Sequence, residues 1–185
     1  MNRPMRADAR RNYERLLEEA KKAFAEHGVD ASLEDVARNA GVGIGTLYRH
    51  FPTREALIES LLRDRFDVQA ERARELLTSA EPLDALRTWL AGLAATSAIY
   101  EGLSEVLAVA LSDETSRLYA SCHAMREAAS QLVERAKRAG ELRPEVTTRE
   151  LLVLLHALSW AGNHLPGDGG RERLLGLVFE GLRAS

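Results

Sequence analysis

The amino-acid sequence predicts an all-α protein: an N-terminal three-helix domain carrying a helix-turn-helix, followed by a larger helical bundle, about nine helices in all. Three observations predict it. Apolar residues recur at the 3.6-residue helical period along nearly the whole chain, and no run alternates apolar and polar residues over a strand's length. Ala, Leu, Glu and Arg, all good helix formers, dominate the composition, and 185 residues contain only five prolines. Glycine and proline stand where helices of that period would end, at His27-Gly28, Gly41-Val42-Gly43, Pro52, Pro82, Gly140 and Pro144.

The first helix is expected from about Asp8 to Glu26, with Leu16, Leu17, Ala20, Ala23 and Phe24 on one face and His27-Gly28 closing it. Ser32 then opens a short second helix as its cap, with Asp35 in the acidic position of a capping box and Leu33, Val36, Ala37 and Ala40 as its buried stripe. Gly41-Val42-Gly43 breaks the chain before a third helix, Ile44 to Phe51, that is too short to stand unless packed on its neighbours. Pro52 ends it. Small residues must lie where the second and third helices cross, and Ala37 and Gly41 meet that need while Val42 and Leu47 plug the core beneath. Gly43, Ile44, Gly45, Thr46, Tyr48, Arg49 and His50 point outward, and such a surface suits close approach to a phosphate-lined groove.

From Arg54 a long helix is expected to about Thr78, with Leu57, Leu61, Leu62, Phe66 and Ala70 inward. Glu81-Pro82 marks a break, with Pro82 suited to the first turn of the next helix. Further helices are expected at Leu83 to Ile99, Glu101 to Leu111, Asp113 to Ala139, Thr148 to His164 and Arg171 to Arg183. The domain division read from this pattern is residues 1–53 for the helix-turn-helix domain and 54–185 for the bundle.

Total charge is only −3, yet residues 1–54 carry a balance of +2 and the rest −5, with Arg3, Arg6, Arg10, Arg11 and Arg15 gathered at the start. Those arginines read either as a solvated charged terminus or as an arm reaching phosphates or the minor groove. Cys122 stands alone, so no internal disulfide can form, and a reducing, cytoplasmic setting is expected. No apolar core follows the arginines, so no signal peptide is expected, and Leu151 to Gly162 falls short of the ~20 apolar residues that a membrane span needs.

The string Leu33-Glu34-Asp35-Val36-Ala37-Arg38-Asn39-Ala40-Gly41-Val42-Gly43-Ile44-Gly45-Thr46-Leu47-Tyr48-Arg49-His50-Phe51, followed by Pro52-Thr53-Arg54-Glu55-Ala56-Leu57-Ile58, resembles the DNA-binding motif of the TetR family. With the first helix the resemblance covers about residues 8–65, and Thr46 to Phe51 is its most specific part. It implies a homodimer on a palindromic double-stranded DNA operator, with a divergent C-terminal bundle that binds a small molecule. It also implies that Tyr48 and His50 touch the DNA backbone, that Thr46 reaches backbone or base edge, and that Gly43, Ile44 and Gly45 lie nearest the bases. Ser32 and Arg49 are counted with this surface. Arg54 stands where the family usually has lysine, which keeps a cation for a phosphate but changes its geometry. Because Gly43-Ile44-Gly45 offers no strong hydrogen-bonding side chain, readout falls to Thr46, Arg49, thymine methyls and DNA shape.

In the bundle, Trp89, Thr96, Tyr100, Tyr119, Cys122, His123 and Met125 interrupt inward faces of Leu and Ala. Each alone reads as ordinary core or surface; together they suggest a largely apolar effector. The helix from Thr148 is apolar nearly all round and needs cover on two sides. Val153, Ala157, Trp160 and Ala161, with Leu174, Leu175, Val178, Phe179 and Leu182 of the last helix, therefore read as a four-helix dimer interface. Burial within one subunit is the other reading. No two histidines stand three or four apart and no serine elbow or phosphate-cradling loop is present, so no metal, cofactor or enzyme activity is expected. The function expected is a repressor released from DNA by a small molecule. An activator using the same head, or a helical sensor or adaptor without functional DNA binding, are the alternatives.

Overall fold

The computed structural model describes residues 3–95, 113–164 and 170–184, and among them the secondary structure is helical apart from one isolated antiparallel bridge between Leu142 and Arg183. Eight α-helices are formed: α1 (Arg3–His27), α2 (Leu33–Asn39), α3 (Ile44–His50), α4 (Arg54–Leu76), α5 (Pro82–Ala95), α6 (Arg117–Arg138), α7 (Thr148–His164) and α8 (Gly170–Leu182), with a 3-10 turn at Gly28–Asp30 after α1. The helix expected at Glu101 to Leu111 lies outside the described residues. None of the described helices is long and apolar enough to cross a membrane. The described residues divide into two compact units, one of residues 3–64 with 113–119 and one of residues 65–95 with 120–164 and 170–184; the division falls inside α4 and inside the helix Arg117–Arg138.

In the first unit α1 packs on α2 and α2 on α3. The core holds most of the predicted stripe, Leu16, Ala20 and Phe24 of α1, Leu33, Val36 and Ala37 of α2, Leu47 of α3 and Leu57, Leu61 and Leu62 of α4, with Phe51 and Ile58 added, while the expected Leu17 and Ala23 are half-buried. Burying such side chains contributes roughly 1.5–3 kcal/mol each, which is what holds seven-residue helices that would not form in isolation. Helix α1 starts at Arg3 rather than near Asp8, and it carries exposed Arg10–Glu14 and Arg11–Asp8 pairs at four- and three-residue spacing. It ends where expected, with Gly28 at φ +69°.

The second unit is tied by side chains that close helix ends. Arg135 of α6 donates to the carbonyls of Leu76 (3.5 Å) and Ser79 (2.8 Å), covering the orphan acceptors after α4. Glu141 accepts the Leu83 amide at 3.0 Å at the start of α5, where Pro82 is the first helical residue as predicted. Trp89 is buried, and its indole N–H donates to the Gln69 carbonyl at 2.9 Å. Thr147 and Glu150 form a complete capping box on α7: the Glu150 amide donates to Thr147 Oγ1 (3.2 Å), and the Glu150 carboxylate accepts the Thr147 amide (2.8 Å). Helix α7 packs on α8, and α5 packs on both.

One expected start moves. Helix α6 begins at Arg117, four residues after Asp113, because the Asp113 carboxylate accepts from both the amide (2.9 Å) and hydroxyl (2.6 Å) of Thr115, a local turn that competes with helix. The Ser116 hydroxyl then caps the helix by accepting the Tyr119 amide at 3.0 Å.

Candidate nucleic-acid interface

Two short helices and a fixed turn build the site. Ser32 sits at φ −67°, ψ 120°, and its Oγ accepts the Asp35 amide at 3.2 Å, satisfying one of the open amides of α2. The reciprocal half of the expected capping box is replaced: Asp35 pairs with Arg38, and the Ser32 hydroxyl donates instead to Glu34 at 3.3 Å. At the other end of α2 the Val42 amide bonds the Ala37 carbonyl and the Gly41 amide bonds that of Arg38, both at 3.0 Å, a Schellman closure that requires a left-handed residue. Gly41 supplies it at φ +69°. This closure sets where α3 begins.

Helix α3 turns Leu47 fully inward and leaves the other side open. Tyr48 is 46% exposed, Gly43, Gly45 and Arg49 are exposed, and Ile44, Thr46 and His50 are half-buried. The two glycines are informative because nothing inside the protein asks for them. Gly43 caps α3 at φ −74° and ψ 151°, a conformation open to any residue, and a Cβ added at Gly43 or Gly45 would meet nothing within 4 Å. Small size at these positions leaves room for something outside the chain.

The polar groups of this face are already oriented. Arg49 donates through Nε to the Gly45 carbonyl (3.2 Å) and through a terminal nitrogen to Thr46 Oγ1 (2.7 Å), so the two expected readers form one hydrogen-bonded unit along α3. Arg54, in the first turn of α4, donates to the Ala31 carbonyl at 2.6 Å and so ties α4 to the residue before the Ser32 cap. His50 lies edge-on to Tyr13 of α1, ring centroids 6.0 Å apart. Every residue expected on this surface is thus on or beside α3 or at the adjoining starts of α2 and α4. Tyr13 joins them without having been expected there. Its partners lie 37 and more residues away, and no local periodicity signals them.

The expected effector-contacting residues differ in burial. Trp89 and Met125 are buried, Tyr119 and Cys122 are half-buried, His123 is exposed, and Thr96 and Tyr100 lie outside the described residues. Burial pushes the Cys122 thiol above its ordinary range, with Arg126 pulling weakly the other way. On the expected interface Val153 is 63% exposed and Ala157 is exposed, while Ala161, Leu174, Val178 and Leu182 are half-buried. The side chain of Trp160 lies outside the described residues. Leu175 and Phe179 are buried within the single chain, at 7% and 5% exposure, on the stripe of α8 that packs on α7 and α5. Leu177 of α8, at 64%, is an exposed apolar residue outside the expected interface set.

Comparison with known proteins agrees with this geometry. Residues 81–184 match the family described as transcriptional regulator SbtR-like, C-terminal domain, and residues 16–61 match that of bacterial regulatory proteins, tetR family. The chain is similar to a TetR transcriptional regulator of known structure from Streptomyces coelicolor, at 33% identity and a TM-score of 0.74 over 94% of this chain and 99% of that one. It is also similar to a TetR transcription regulatory protein from Mycobacterium vanbaalenii, at 32% identity and a TM-score of 0.69 over 98% and 100% of the two chains. Among curated relatives it is 40% identical over 74 residues to the HTH-type transcriptional repressor KstR2 of Mycobacterium tuberculosis. That match spans 39% of this chain and 37% of the repressor's length. With one family pattern covering the C-terminal half and another the helix-turn-helix, the chain belongs to the TetR family of transcriptional regulators.

Proposed function

We propose that this regulator is a homodimeric repressor whose two α3 helices enter successive major grooves of a palindromic operator, and which a small, largely apolar effector releases from DNA. The observation that carries the reading is the outward face of α3, where two glycines with no internal need lie beside an exposed Tyr48 and a pre-oriented Thr46–Arg49 pair. In this reading Tyr48, His50 and Arg54 hold the DNA backbone, with Ser32 at the start of α2 beside them. Gly43, Ile44 and Gly45 approach the bases, and Thr46 and Arg49 read them. Similarity over 74 residues to a protein named as a repressor supports the choice of repression.

Dimerisation rests on the apolar surface left open on α7 and α8. Val153, Leu154 and Leu177 are exposed there with Ala157, a cluster that a second copy would cover. Effector binding falls to the second unit, with Trp89, Cys122 and Met125 among the contributing side chains; release follows if the effector binds a DNA-incompetent state more tightly. The site of action is the cytoplasm.

The test is selection of bound fragments from genomic DNA by the purified protein, followed by titration of a selected duplex over a range of salt. Saturable binding to a twofold-symmetric site, with affinity falling as salt rises, is expected. Equal, weak binding to all duplexes would remove the operator from the reading.

A further inference from the structure

We infer that Tyr13 is the positioning residue of α3, holding the end of that helix through His50 and Phe51 while its hydroxyl ties it to Arg63 of α4; the inference rests on the DNA-reading role proposed for α3. Three helices meet at this one side chain. The Tyr13 ring lies 5.1 Å from that of Phe51 and 6.0 Å from that of His50, the latter at an interplanar angle of 63°, both within the range of favourable aromatic pairs. Its hydroxyl accepts a hydrogen bond from Arg63 at 2.9 Å.

The position of this contact gives it consequences. Phe51 directly follows α3, is buried, and returns its amide to the Leu47 carbonyl at 2.8 Å, so the ring that fixes Phe51 fixes the last turn of the helix. His50 is among the residues proposed to hold the DNA backbone, and Tyr48, two residues before it, is carried by the same turn. Arg63 lies nine residues into α4, so rotation or sliding of that helix moves a guanidinium whose bond partner packs against the end of α3. A phenylalanine at position 13 would supply the ring contacts and lose the link; a leucine would lose both.

Tyr13→Phe, Arg63→Met and the double variant separate this role from simple packing. Amide hydrogen exchange is followed in α2 and at Leu47 to Phe51, and affinity is measured for a duplex selected by the wild-type protein. Each single variant is expected to speed exchange at the end of α3 by about three- to tenfold, the range for one lost hydrogen bond, and to weaken duplex binding by a similar factor. Exchange in α2 should be unchanged, and the double variant should lose no more than the worse single one. Equal acceleration in α2 and α3, additive losses in the double variant, or a Tyr13→Phe protein identical to wild type would each overturn the inference. Wild-type protein that binds no duplex would overturn the DNA reading by itself, and the exchange arm would still decide whether Arg63 holds α3 through Tyr13.

Discussion

Replacing Gly45 with alanine should make the protein more stable and its DNA binding weaker, a combination that few substitutions produce. Gly45 is the second residue of α3, exposed, and an added Cβ meets nothing within 4 Å. No side chain must move, and the Arg49 bond to the Gly45 carbonyl uses backbone that the substitution keeps. What changes is the conformational freedom lost on folding, so alanine should stabilise by about 0.5–1 kcal/mol. For a chain of this size that raises the melting temperature by roughly 1–4 °C. In the proposed complex the methyl group would occupy the space through which the helix approaches the bases. A misfit there resembles a mismatched base pair, about 1–3 kcal/mol, or roughly five- to hundredfold in affinity. Urea unfolding gives the first quantity and fluorescence anisotropy on a selected duplex at fixed salt the second. Increased stability with unchanged affinity would mean that position 45 does not face the bases, and reduced stability would refute the geometry of α3 itself.

Tyr48→Ala should leave the melting curve nearly unchanged, since 46% of the residue is already exposed, but weaken binding to selected and unselected duplexes alike, as loss of a backbone contact does; an effect confined to the selected site would reassign Tyr48 to base reading. Gly41→Ala forces a non-glycine residue to φ +69°, with only the flexible Arg15 guanidinium nearby at 3.6 Å, so it should cost about 1–2 kcal/mol by urea unfolding from backbone strain alone. Glu150 is held below the ordinary glutamate range by hydrogen bonds from Thr147, first its hydroxyl and then its amide. Its contribution is therefore complete above the unfolded value and is lost as pH falls through the folded one, so Glu150→Gln should lower the melting temperature at neutral pH and converge with wild type on acidification. Val153→Glu, at a site 63% exposed in the single chain, should give folded monomer by analytical ultracentrifugation; a dimer unaffected by it would place the interface elsewhere.

The motif was legible because its determinants are local. Ser32 as a cap, Gly41 as a left-handed turn and the Leu33–Val36–Ala37 stripe each act within a few residues, and each stands where its neighbours in sequence demanded. The rest depended on distance. Tyr13 meets Phe51 and Arg63 only after the chain has turned through three helices, so nothing near it in sequence announces its role. Leu175 and Phe179 share their residue types with any interface, and only the packing of α8 on α7 and α5 shows that they face inward. The late start of α6 has a local cause in the Asp113–Thr115–Ser116 run, but the helical periodicity of the same segment is the stronger signal and hides it.

The proposed DNA-facing surface is compatible with a net charge of −3 because the charges near α3 differ in how they are held. Arg38 and Asp35 pair on the exposed side of α2, with side chains 71% and 50% exposed, and a pair of this kind contributes about 0–1 kcal/mol, so an arriving phosphate can displace the carboxylate at little cost. Arg49 is held differently. Its partners on α3, a carbonyl and a hydroxyl, are neutral; they fix the direction of the guanidinium without cancelling its charge. The rotamer freedom that a long cationic side chain would lose on binding, up to ~2 kcal/mol, is therefore partly lost already in the free protein. Arg54 also donates to a backbone carbonyl, that of Ala31. A few oriented cations on one short helix and its flank can thus outweigh acidic side chains elsewhere in the chain, because screening leaves little interaction beyond about 10 Å at ordinary ionic strength while the oriented guanidinium groups act at hydrogen-bonding distance.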